Sequence, residues 1–422
     1  MTSEDIRNQV FTMGKQARAA AHALTTLTTE HKNDILLAMA DGIVANESTI
    51  LEANEKDLDA ADELGLTDAM KDRLRLDSDR VAAIADGIRE VAELHDPTRG
   101  IIKDWTRPNG IRLVKKRTPI GTIGIIFESR PNVTADAAAL CFKTGNATIL
   151  RGGKEAIHSN RAIATALDEG GKKAGLPDHA IQLIPFTDRE SVQHMCEMDQ
   201  WLDLIIPRGG AGLINAVVAM ARMPVIKHYD GICHVYVDKA ADLDMAEAIT
   251  INSKCQKPSV CNALETLLIH KDVAAEFSPT IAETLSAKGV ELRGDEEFRK
   301  LADLDTVIPA SESDWTTEYL DLTLAVKIVD DLDSAIAHIN EYGSHHTDSI
   351  VTGDEAAADK FLLEIDSACV FWNASTRFAD GGEFGFGAEI GISTDKLHAR
   401  GPMALEELCS YKYLAFGTGQ VK

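Results

Sequence analysis

Residues 122–152 read "TIGIIFESRPNVTADAAALCFKTGNATILRG" and contain the pattern that decides the fold. The apolar run at 122–128 predicts a buried strand, and "ATILRG" at 147–152 predicts a second one. Between them, residues 132–145 have the alanine-rich composition of a helix. A strand, a helix and a strand in that order predict two parallel strands joined by a helix that covers one face of their sheet.

The alternation of strands and helices continues beyond this stretch to about residue 221, and a second series follows Gly231. We therefore predict an α/β protein with two α/β domains, each built on a parallel sheet. The break between the domains is expected near residues 229–232. This gives a first domain of residues 1–230, which begins with helices, and a second domain of residues 231–396.

Two further segments have the composition of extended chain. Residues 110–118 include "RLVKKRT" and predict an arm, and residues 397–422 predict a short helix followed by the strand "SYKYLAFG". That strand needs a partner, and the arm near residue 112 is the candidate. An exposed strand edge invites pairing with another chain, so the arm also predicts a homo-oligomer.

The composition narrows the class of protein. The 422 residues are 45% hydrophobic and 26% charged, as in an ordinary globular protein, and no run of about 18 apolar residues predicts a membrane span. The formal net charge of −24 argues against nucleic acid as a partner, because a broadly acidic surface repels phosphates. Seven scattered cysteines and a polar N-terminus without a signal pattern predict reduced thiols in the cytoplasm.

A metal site is the first hypothesis for the cysteine pair in "KCQKPSVCNALET". Cys255 and Cys261 are six positions apart, whereas paired zinc ligands are separated by roughly two to four residues. His345 and His346 are adjacent, so in a strand their side chains would point to opposite faces. The sequence also lacks C-x-x-C and H-E-x-x-H motifs. We predict no metal.

Two glycine-rich turns lie between a predicted strand and a predicted helix. They read "ILRGGKEA" at 149–156 and "IIPRGGAG" at 205–212. A glycine-rich turn that opens a helix presents backbone N–H groups and the positive end of the helix dipole to a phosphate. The G-x-x-x-x-G-K-[ST] and G-x-G-x-x-G motifs are absent. Two such turns with basic residues, at strand ends of one sheet, nevertheless predict a dinucleotide site.

The seven cysteines differ in their surroundings. Five lie in apolar helix or strand patterns and are predicted core residues: Cys141, Cys196, Cys233, Cys369 and Cys409. Cys255 and Cys261 lie in a polar stretch with Lys254 and Lys257, which predicts a loop. Adjacent positive charge lowers the pKa of a cysteine and raises its thiolate fraction. A thiolate near a dinucleotide domain indicates a thioester that is formed or reduced by hydride transfer, and the pattern alone leaves the choice of cysteine open.

The chain resembles the aldehyde dehydrogenase superfamily along nearly its whole length. The resemblance rests on five segments: "FESRPNVTADAAALCFKTGNATILRGGKEA", "KHYDGICHVYVD", "NSKCQKPSVCNALETLL", "INEYGSHHTDSIVT" and "GFGAEIGISTDKLHARGPMALEEL". Within the superfamily it is most similar to the branch that reduces L-glutamyl 5-phosphate to L-glutamate 5-semialdehyde in proline biosynthesis. This implies a dependence on NADP (NADPH), a substrate supplied by a glutamate 5-kinase, and a dimer or a multiple of it joined through the arms. It also makes residues 1–230 the NADP-binding domain and residues 231–396 the catalytic domain.

The superfamily motifs imply roles for individual residues. "KPSVC" stands where the superfamily has its catalytic G-Q-x-C, which implies that Cys261 is the nucleophile and Cys255 a bystander. The oxyanion asparagine falls near "ESRPN", where Ser129 or Asn132 corresponds, and Asn132 is preferred because it carries an amide donor. The implied cofactor contacts are Arg151 and Lys154 for the ribose and any 2′-phosphate, Gly209 and Gly210 for the pyrophosphate, and Glu318 for the nicotinamide ribose.

The implied substrate carries an amine, a carboxylate and a phosphate, so its site should present both signs of charge. The candidates for substrate binding are Arg130, Arg377 and His346 in the loop "GSHHTD". A capping or loop role for His345 and His346 remains open beside substrate contact.

One departure from the superfamily concerns hydrolysis. Members that produce a carboxylate use a glutamate in an E-L-G-G motif to activate water, and this chain has His228 and Tyr229 there. The absence of that glutamate favours reduction of an acyl phosphate. Asp230 is close enough to serve as a base if the alignment shifts. Two alternatives therefore stay open: an oxidising aldehyde dehydrogenase that acts on a related semialdehyde, and a non-catalytic dinucleotide-binding protein of the same fold.

Overall fold

The structure is a computed structural model that describes residues 1–227 and 229–422. The chain forms two compact units. The first holds residues 1–227, 385–391 and 403–422, and the second holds residues 228–384 and 392–402. The first crossing between units lies a few residues before the predicted boundary at 230, and the predicted separate segment 397–422 is divided between the units.

The first unit begins with helices. They are α1 (Ser3–Leu24), α2 (Thr29–Ala45), α3 (Glu47–Asp59), α4 (Asp68–Leu74) and α5 (Ser78–Glu93). The hydroxyl oxygens of Thr2 and Thr28 accept backbone N–H groups in the first turns of α1 and α2, which fixes where these helices start. Strands β1 (Ile101–Thr106) and β2 (Arg112–Pro119) follow and pair antiparallel.

A four-stranded parallel sheet forms the centre of the first unit. Its strands are β3 (Thr122–Phe127), β4 (Ala147–Gly152), β5 (Ile181–Leu183) and β6 (Leu204–Arg208), in the order β5-β4-β3-β6. The helices between and after them are α6 (Val133–Lys143), α7 (Ile157–Lys173), α8 (Glu190–Cys196) and α9 (Ala211–Met220). Every residue of β3 and β4 is buried, as expected for parallel strands with both faces covered.

The register of this sheet brings the two glycine-rich turns to one edge. Phe127, the last residue of β3, lies beside Gly152 of β4 on one side and Arg208 of β6 on the other. Because parallel strands end at the same edge, the turns after β4 and β6 flank the segment that follows β3.

The second unit contains a seven-stranded parallel sheet. Its strands are β7 (Cys233–Val237), β8 (Leu264–His270), β9 (Glu291–Gly294), β10 (Ile308–Pro309), β11 (Thr323–Val329), β12 (Thr347–Val351) and β13 (Cys369–Trp372), in the order β10-β9-β11-β8-β7-β12-β13. Its helices are α10 (Leu243–Cys255), α11 (Lys271–Ala287), α12 (Glu296–Leu301), α13 (Leu332–Tyr342) and α14 (Glu355–Glu364). Successive residues of β7 enter different apolar clusters, Val235 one and Tyr236 the other, so helices cover both faces. The predicted fold class, α/β with parallel sheets, is confirmed.

The C-terminal strands complete the structure. Strands β14 (Gly391–Ser393) and β15 (Gly401–Met403) form a two-stranded sheet, and β16 (Cys409–Phe416) pairs antiparallel with β2. The predicted pairing of the C-terminal strand with the arm near residue 112 is confirmed. The predicted helix within 397–422 is wrong: only residues 404–408 separate β15 from β16, and 405–408 form a turn. The Glu407 carboxylate accepts the Ala404 N–H at 3.0 Å and closes that turn.

Candidate active site

The stretch that carries Cys255 and Cys261 is only partly a loop. Helix α10 extends to Cys255, and residues 256–263 form the turn that leads into β8. We call residues 256–263 the nucleophile turn, after the role predicted for Cys261. Cys255 packs against an apolar cluster, and burial raises the pKa of its thiol. The neighbouring Lys254 is fully buried, and its ammonium lies 2.7 Å from a Glu265 carboxylate oxygen. The expectation that adjacent lysines lower the pKa of Cys255 in a polar loop is therefore wrong, because burial outweighs their charge and Cys255 ends a helix.

Cys261 lies in the nucleophile turn and is partly exposed. The Cys233 thiol donates to the Cys261 carbonyl oxygen at 3.2 Å. Burial raises the pKa of Cys233 well above its ordinary value, so this thiol stays protonated and serves as a donor. On the same side, a Cβ at Gly231 would come within 1.9 Å of the Cys261 carbonyl oxygen, so the backbone there admits only glycine.

Asn262, the residue after Cys261, anchors the turn on its other side. The Asn262 side chain is buried, and its amide donates to the Ala379 carbonyl at 3.0 Å. Its amide oxygen accepts from the Arg377 guanidinium, whose Nε donates to Gln256 Oε1 at 2.7 Å. Arg377, a predicted substrate residue, thus lies beside the nucleophile turn and is half-buried. A guanidinium has five N–H donors, so these two bonds leave donors for an anionic ligand.

Glu318 and His346 also lie around this turn. A Glu318 carboxylate oxygen accepts the Gly231 N–H at 2.9 Å, and burial raises the pKa of Glu318. The His346 side chain is fully buried: its Nδ1 lies 2.8 Å from Thr347 Oγ1 and 3.8 Å from Cys233 Sγ. The prediction that His346 touches the substrate is not supported, because its ring lies behind the turn with no exposed surface.

The first unit holds the candidate oxyanion residues after β3. Ser129 has a left-handed φ of 47°, and its N–H and hydroxyl both donate to the buried Glu155 carboxylate, at 2.6 and 3.0 Å. Asn132 is partly exposed, and its amide donates to Asp136 at 2.8 Å. An amide has two N–H donors, so Asn132 keeps one for a ligand while the Ser129 hydroxyl is used. Arg130 lies between them and is exposed.

The turn after β4 differs from its predicted role in one respect. Arg151 is buried, and its guanidinium donates to the carbonyls of Gly152 and Thr187, at 3.0 and 2.9 Å. Arg151 therefore supports the turn, and its guanidinium is not available for a bidentate bond to a phosphate. Lys154 is exposed at the same edge. Arg189, which sequence reasoning missed, is exposed after the neighbouring strand β5.

The turn after β6 already bonds a carboxylate of this chain. The Gly210 N–H donates to a Glu128 carboxylate oxygen at 3.1 Å, immediately before α9. A Cβ at Gly209 would lie 2.3 Å from the same carboxylate. A carboxylate thus already stands where backbone N–H groups and the start of a helix favour an anion, which fits the predicted role of Gly209 and Gly210 toward pyrophosphate.

Residues 228–230 carry the departure from the superfamily motif that concerns hydrolysis. His228, which replaces the superfamily glutamate together with Tyr229, lies outside the described residues. Tyr229 is exposed, and Asp230 lies close enough to Glu318 to raise the pKa of Glu318 further.

Within residues 1–227 and 229–422, no group of three or more histidine, cysteine, aspartate or glutamate side chains could hold a metal ion. No helix in the same residues is long and apolar enough to cross a membrane.

Comparisons with known proteins identify the family of the chain. The profile of the aldehyde dehydrogenase family matches residues 2–325. The gamma-glutamyl phosphate reductase of Geobacter metallireducens is 54% identical over 417 residues, which cover 99% of both chains. The chain belongs to the γ-glutamyl phosphate reductase branch of the aldehyde dehydrogenase family. It is therefore an enzyme of an oxidoreductase family, and the predicted resemblance is confirmed.

Solved structures show the same relationship. The gamma-glutamyl phosphate reductase of Thermotoga maritima matches with a TM-score of 0.96 and 44% identity, over 98% of this chain and 99% of that one. An engineered glycolyl-CoA reductase with bound NADP+ matches with a TM-score of 0.68 at 14% identity, over 96% of each chain. That second match shows the fold alone.

Several residues of the two candidate regions were missed by sequence reasoning. Asn262 directly follows Cys261, and Gly231 stands in "DGIC", so their positions gave a local hint. Glu128 and the buried Lys254–Glu265 pair gave none, because their roles depend on contacts that the sequence does not display.

Proposed function

We propose that the protein reduces L-glutamyl 5-phosphate to L-glutamate 5-semialdehyde and releases phosphate, as a step of proline biosynthesis. The observation that carries the proposal is the setting of Cys261. Cys261 is partly exposed and lies in a turn. The Cys261 carbonyl oxygen packs against Gly231 and accepts from the Cys233 thiol, and the next residue, Asn262, is held by its bond to the Ala379 carbonyl. The remaining cysteines are buried or lie at a helix end. The full-length relative that carries this activity in its name supports the substrate.

The reaction would proceed through a thioester on Cys261. The thiolate attacks the acyl carbon, and phosphate leaves with the electron pair of the broken C–O bond. Arg377, beside the turn, is our candidate for an anionic group of the substrate, and Arg130 is a second. The family resemblance assigns the oxyanion to Asn132, whose remaining amide hydrogen suits it; one well-placed donor contributes about 3 kcal/mol. After reduction, the thiohemiacetal collapses to the aldehyde and frees the thiolate.

The cofactor proposed is NADPH, which would supply the hydride when bound. The fit rests on the edge of the first unit where a carboxylate already occupies the anion position at Gly210. Gly209 and Gly210 would meet the pyrophosphate, and Glu318 the nicotinamide ribose. Lys154 and Arg189, both exposed on neighbouring turns, are our candidates for the 2′-phosphate. Arg151 would hold the shape of its turn.

We further propose that residues 1–230 act as the cofactor domain and 231–396 as the catalytic domain. The substrate would come from a glutamate 5-kinase, because transfer of a phosphoryl group from ATP to the side-chain carboxylate of glutamate forms this acyl phosphate. A homo-oligomer joined through the arms and a cytoplasmic location complete the proposal. All seven cysteines are free thiols, which supports a reducing compartment.

A steady-state assay tests the function in the oxidative direction. L-glutamate 5-semialdehyde and NADP+ should give sustained NADPH formation only when phosphate is present, because phosphate is needed to discharge the thioester. Sustained turnover without phosphate, with glutamate as the product, would replace the proposal with the oxidising alternative, for which Asp230 is the available base. No reduction of NADP+ under either condition would favour a non-catalytic protein.

A further inference from the structure

A fully buried ion pair lies at the base of the nucleophile turn. Lys254 is the penultimate residue of α10, Glu265 is the second residue of β8, and the turn joins these two elements. The Lys254 ammonium lies 2.7 Å from one Glu265 carboxylate oxygen, and neither side chain is exposed. The pair therefore spans both ends of the turn that presents Cys261.

Glu265 also contacts a second segment, residues 317–322, which we call the Glu318 loop. The other Glu265 carboxylate oxygen accepts the Leu320 N–H at 3.2 Å. Leu320 has a left-handed φ of 55°, which costs a residue with a side chain conformational energy. The Lys254 ammonium lies 5.8 Å from the centre of the Tyr319 ring in the same loop. The ion pair thus holds a strained loop in place.

The Glu318 loop is connected to Cys261 through Gly231. Glu318 accepts the Gly231 N–H at 2.9 Å, and Gly231 packs directly against the Cys261 carbonyl. The contacts run from the Lys254–Glu265 pair through the Glu318 loop to Gly231. They end at the nucleophile turn, which begins after Cys255, the residue that follows Lys254. The carboxylates of Glu265 and Glu318 therefore hold two segments that are far apart in sequence in one arrangement.

Stability alone does not account for charges at this position. Burial lowers the pKa of Lys254 and raises that of Glu265 to about 7, so each charged form is costly in this environment. Replacement of a buried ion pair by apolar residues of similar volume is often neutral or stabilising. An apolar pair at these positions would lack the Glu265 carboxylate, which accepts the Leu320 N–H.

We propose that Lys254 and Glu265 are positioning residues that hold the nucleophile turn and the Glu318 loop in the arrangement needed for hydride transfer. This inference rests on the proposed function, because the reaction gives the arrangement its purpose. Because neither side chain is exposed, the pair would act through the Leu320 N–H and the Glu318 carboxylate and not by contact with a ligand.

Two double variants separate positioning from stability. Lys254→Met with Glu265→Leu removes both charges and the acceptor for Leu320. Lys254→Met with Glu265→Gln removes both charges and keeps an amide oxygen for Leu320. The matched control is Lys32→Met with Asp96→Asn, which removes another buried pair, 2.5 Å apart, from the first unit.

The Met/Leu variant should lose about tenfold or more in kcat, with KM for both substrates within about threefold, because small misplacements of reacting groups cost large factors in rate. The Met/Gln variant should recover most of that loss. The control should keep its kcat even where its melting temperature falls. A Met/Leu variant with the kcat of the unaltered protein would overturn the proposal, as would a Met/Gln variant that is no better than Met/Leu.

Hydrogen–deuterium exchange provides a reading that does not need turnover. In the Met/Leu variant, peptides that contain Leu320 and Gly231 should exchange about tenfold faster, while peptides from β11 and β12 stay unchanged. Met/Gln should restore the slow exchange. Unchanged exchange at Leu320 and Gly231 would overturn the coupling. An unaltered protein without turnover would instead refute the proposed function, and the exchange result would still decide whether the pair couples the two segments.

Discussion

Gly231 lies so close to Cys261 that a side chain would not fit between them: a Cβ on Gly231 would stand 1.9 Å from the Cys261 carbonyl oxygen. The Gly231 N–H is also bonded to Glu318 at 2.9 Å. One glycine therefore connects the backbone of the nucleophile turn to the Glu318 carboxylate, which we propose contacts the nicotinamide ribose.

Gly231→Ala should displace the nucleophile turn and lower kcat by about 100-fold, since an ångström of misplacement can cost that much. The control is Gly87→Ala in helix α5, where an added Cβ meets nothing within 4 Å. That control should keep full activity and gain up to about 1 kcal/mol of stability. Steady-state kinetics and thermal melts measure both. A Gly231→Ala enzyme with normal kcat would contradict the close packing.

Cofactor selectivity should depend on Lys154 and Arg189 and not on Arg151. The double variant Lys154→Ala with Arg189→Ala should lower the ratio of kcat/KM for NADPH to that for NADH by about tenfold or more, because phosphate contacts to cationic side chains are charge-assisted. Arg151→Ala should lower the melting temperature and leave the ratio within about twofold, since its guanidinium already donates to Gly152 and Thr187. A selective loss in Arg151→Ala would show that this side chain turns outward when the cofactor binds.

The sequence predicted the elements and the chemistry better than it predicted side-chain directions. Strands β3 and β4 were recognisable because parallel strands with two covered faces are apolar throughout. The proposal that Cys261 is the nucleophile rests on a local motif and stays a prediction. Arg151 was misjudged because its direction depends on Thr187, which follows a different strand. Lys254 was expected in a polar loop, where its charge would act on the cysteines. Its partner Glu265 lies eleven positions away across the turn, so the sequence did not show that the two residues form a buried pair.

Asp136 should give the folding stability a pH dependence. Burial raises its pKa from the ordinary 3.8 to about 6, so the folded state binds this proton more tightly than the unfolded state does. Its contribution to stability is therefore greatest below about pH 4, falls as the pH rises to 6, and is then constant, a change of at most about 3 kcal/mol.

Asp136→Asn keeps an acceptor for the Asn132 amide and removes this titration. Relative to the unaltered protein, the variant should gain stability between pH 4 and pH 6, measured by urea unfolding at each pH. An equal difference at both pH values would show that Asp136 does not hold the proton.

The arm should mediate self-association. Strands β1 and β16 are the edges of their three-stranded sheet, and Tyr411 and Tyr413 on β16 are 50% and 59% exposed. We expect a dimer or a multiple of it in light scattering. The double variant Tyr411→Glu with Tyr413→Glu should have a smaller molar mass in solution than the unaltered protein. Leu363→Glu, which places a charge at an exposed position of α14, should leave the molar mass unchanged. A monomer at all concentrations of the unaltered protein would refute the assembly.

The central claim is a thioester on Cys261 that phosphate discharges and water does not. The direct measurement is peptide mass spectrometry after the protein is mixed with L-glutamate 5-semialdehyde and NADP+ without phosphate. We predict an acyl adduct on the peptide that contains Cys261, in the unaltered protein and in Cys255→Ala, and none in Cys261→Ala. The adduct should persist, because an enzyme without a positioned base forgoes about 10²–10⁴-fold in rate, and should disappear when phosphate is added. An adduct on Cys255, or one that hydrolyses to glutamate as fast without phosphate as with it, would contradict the account.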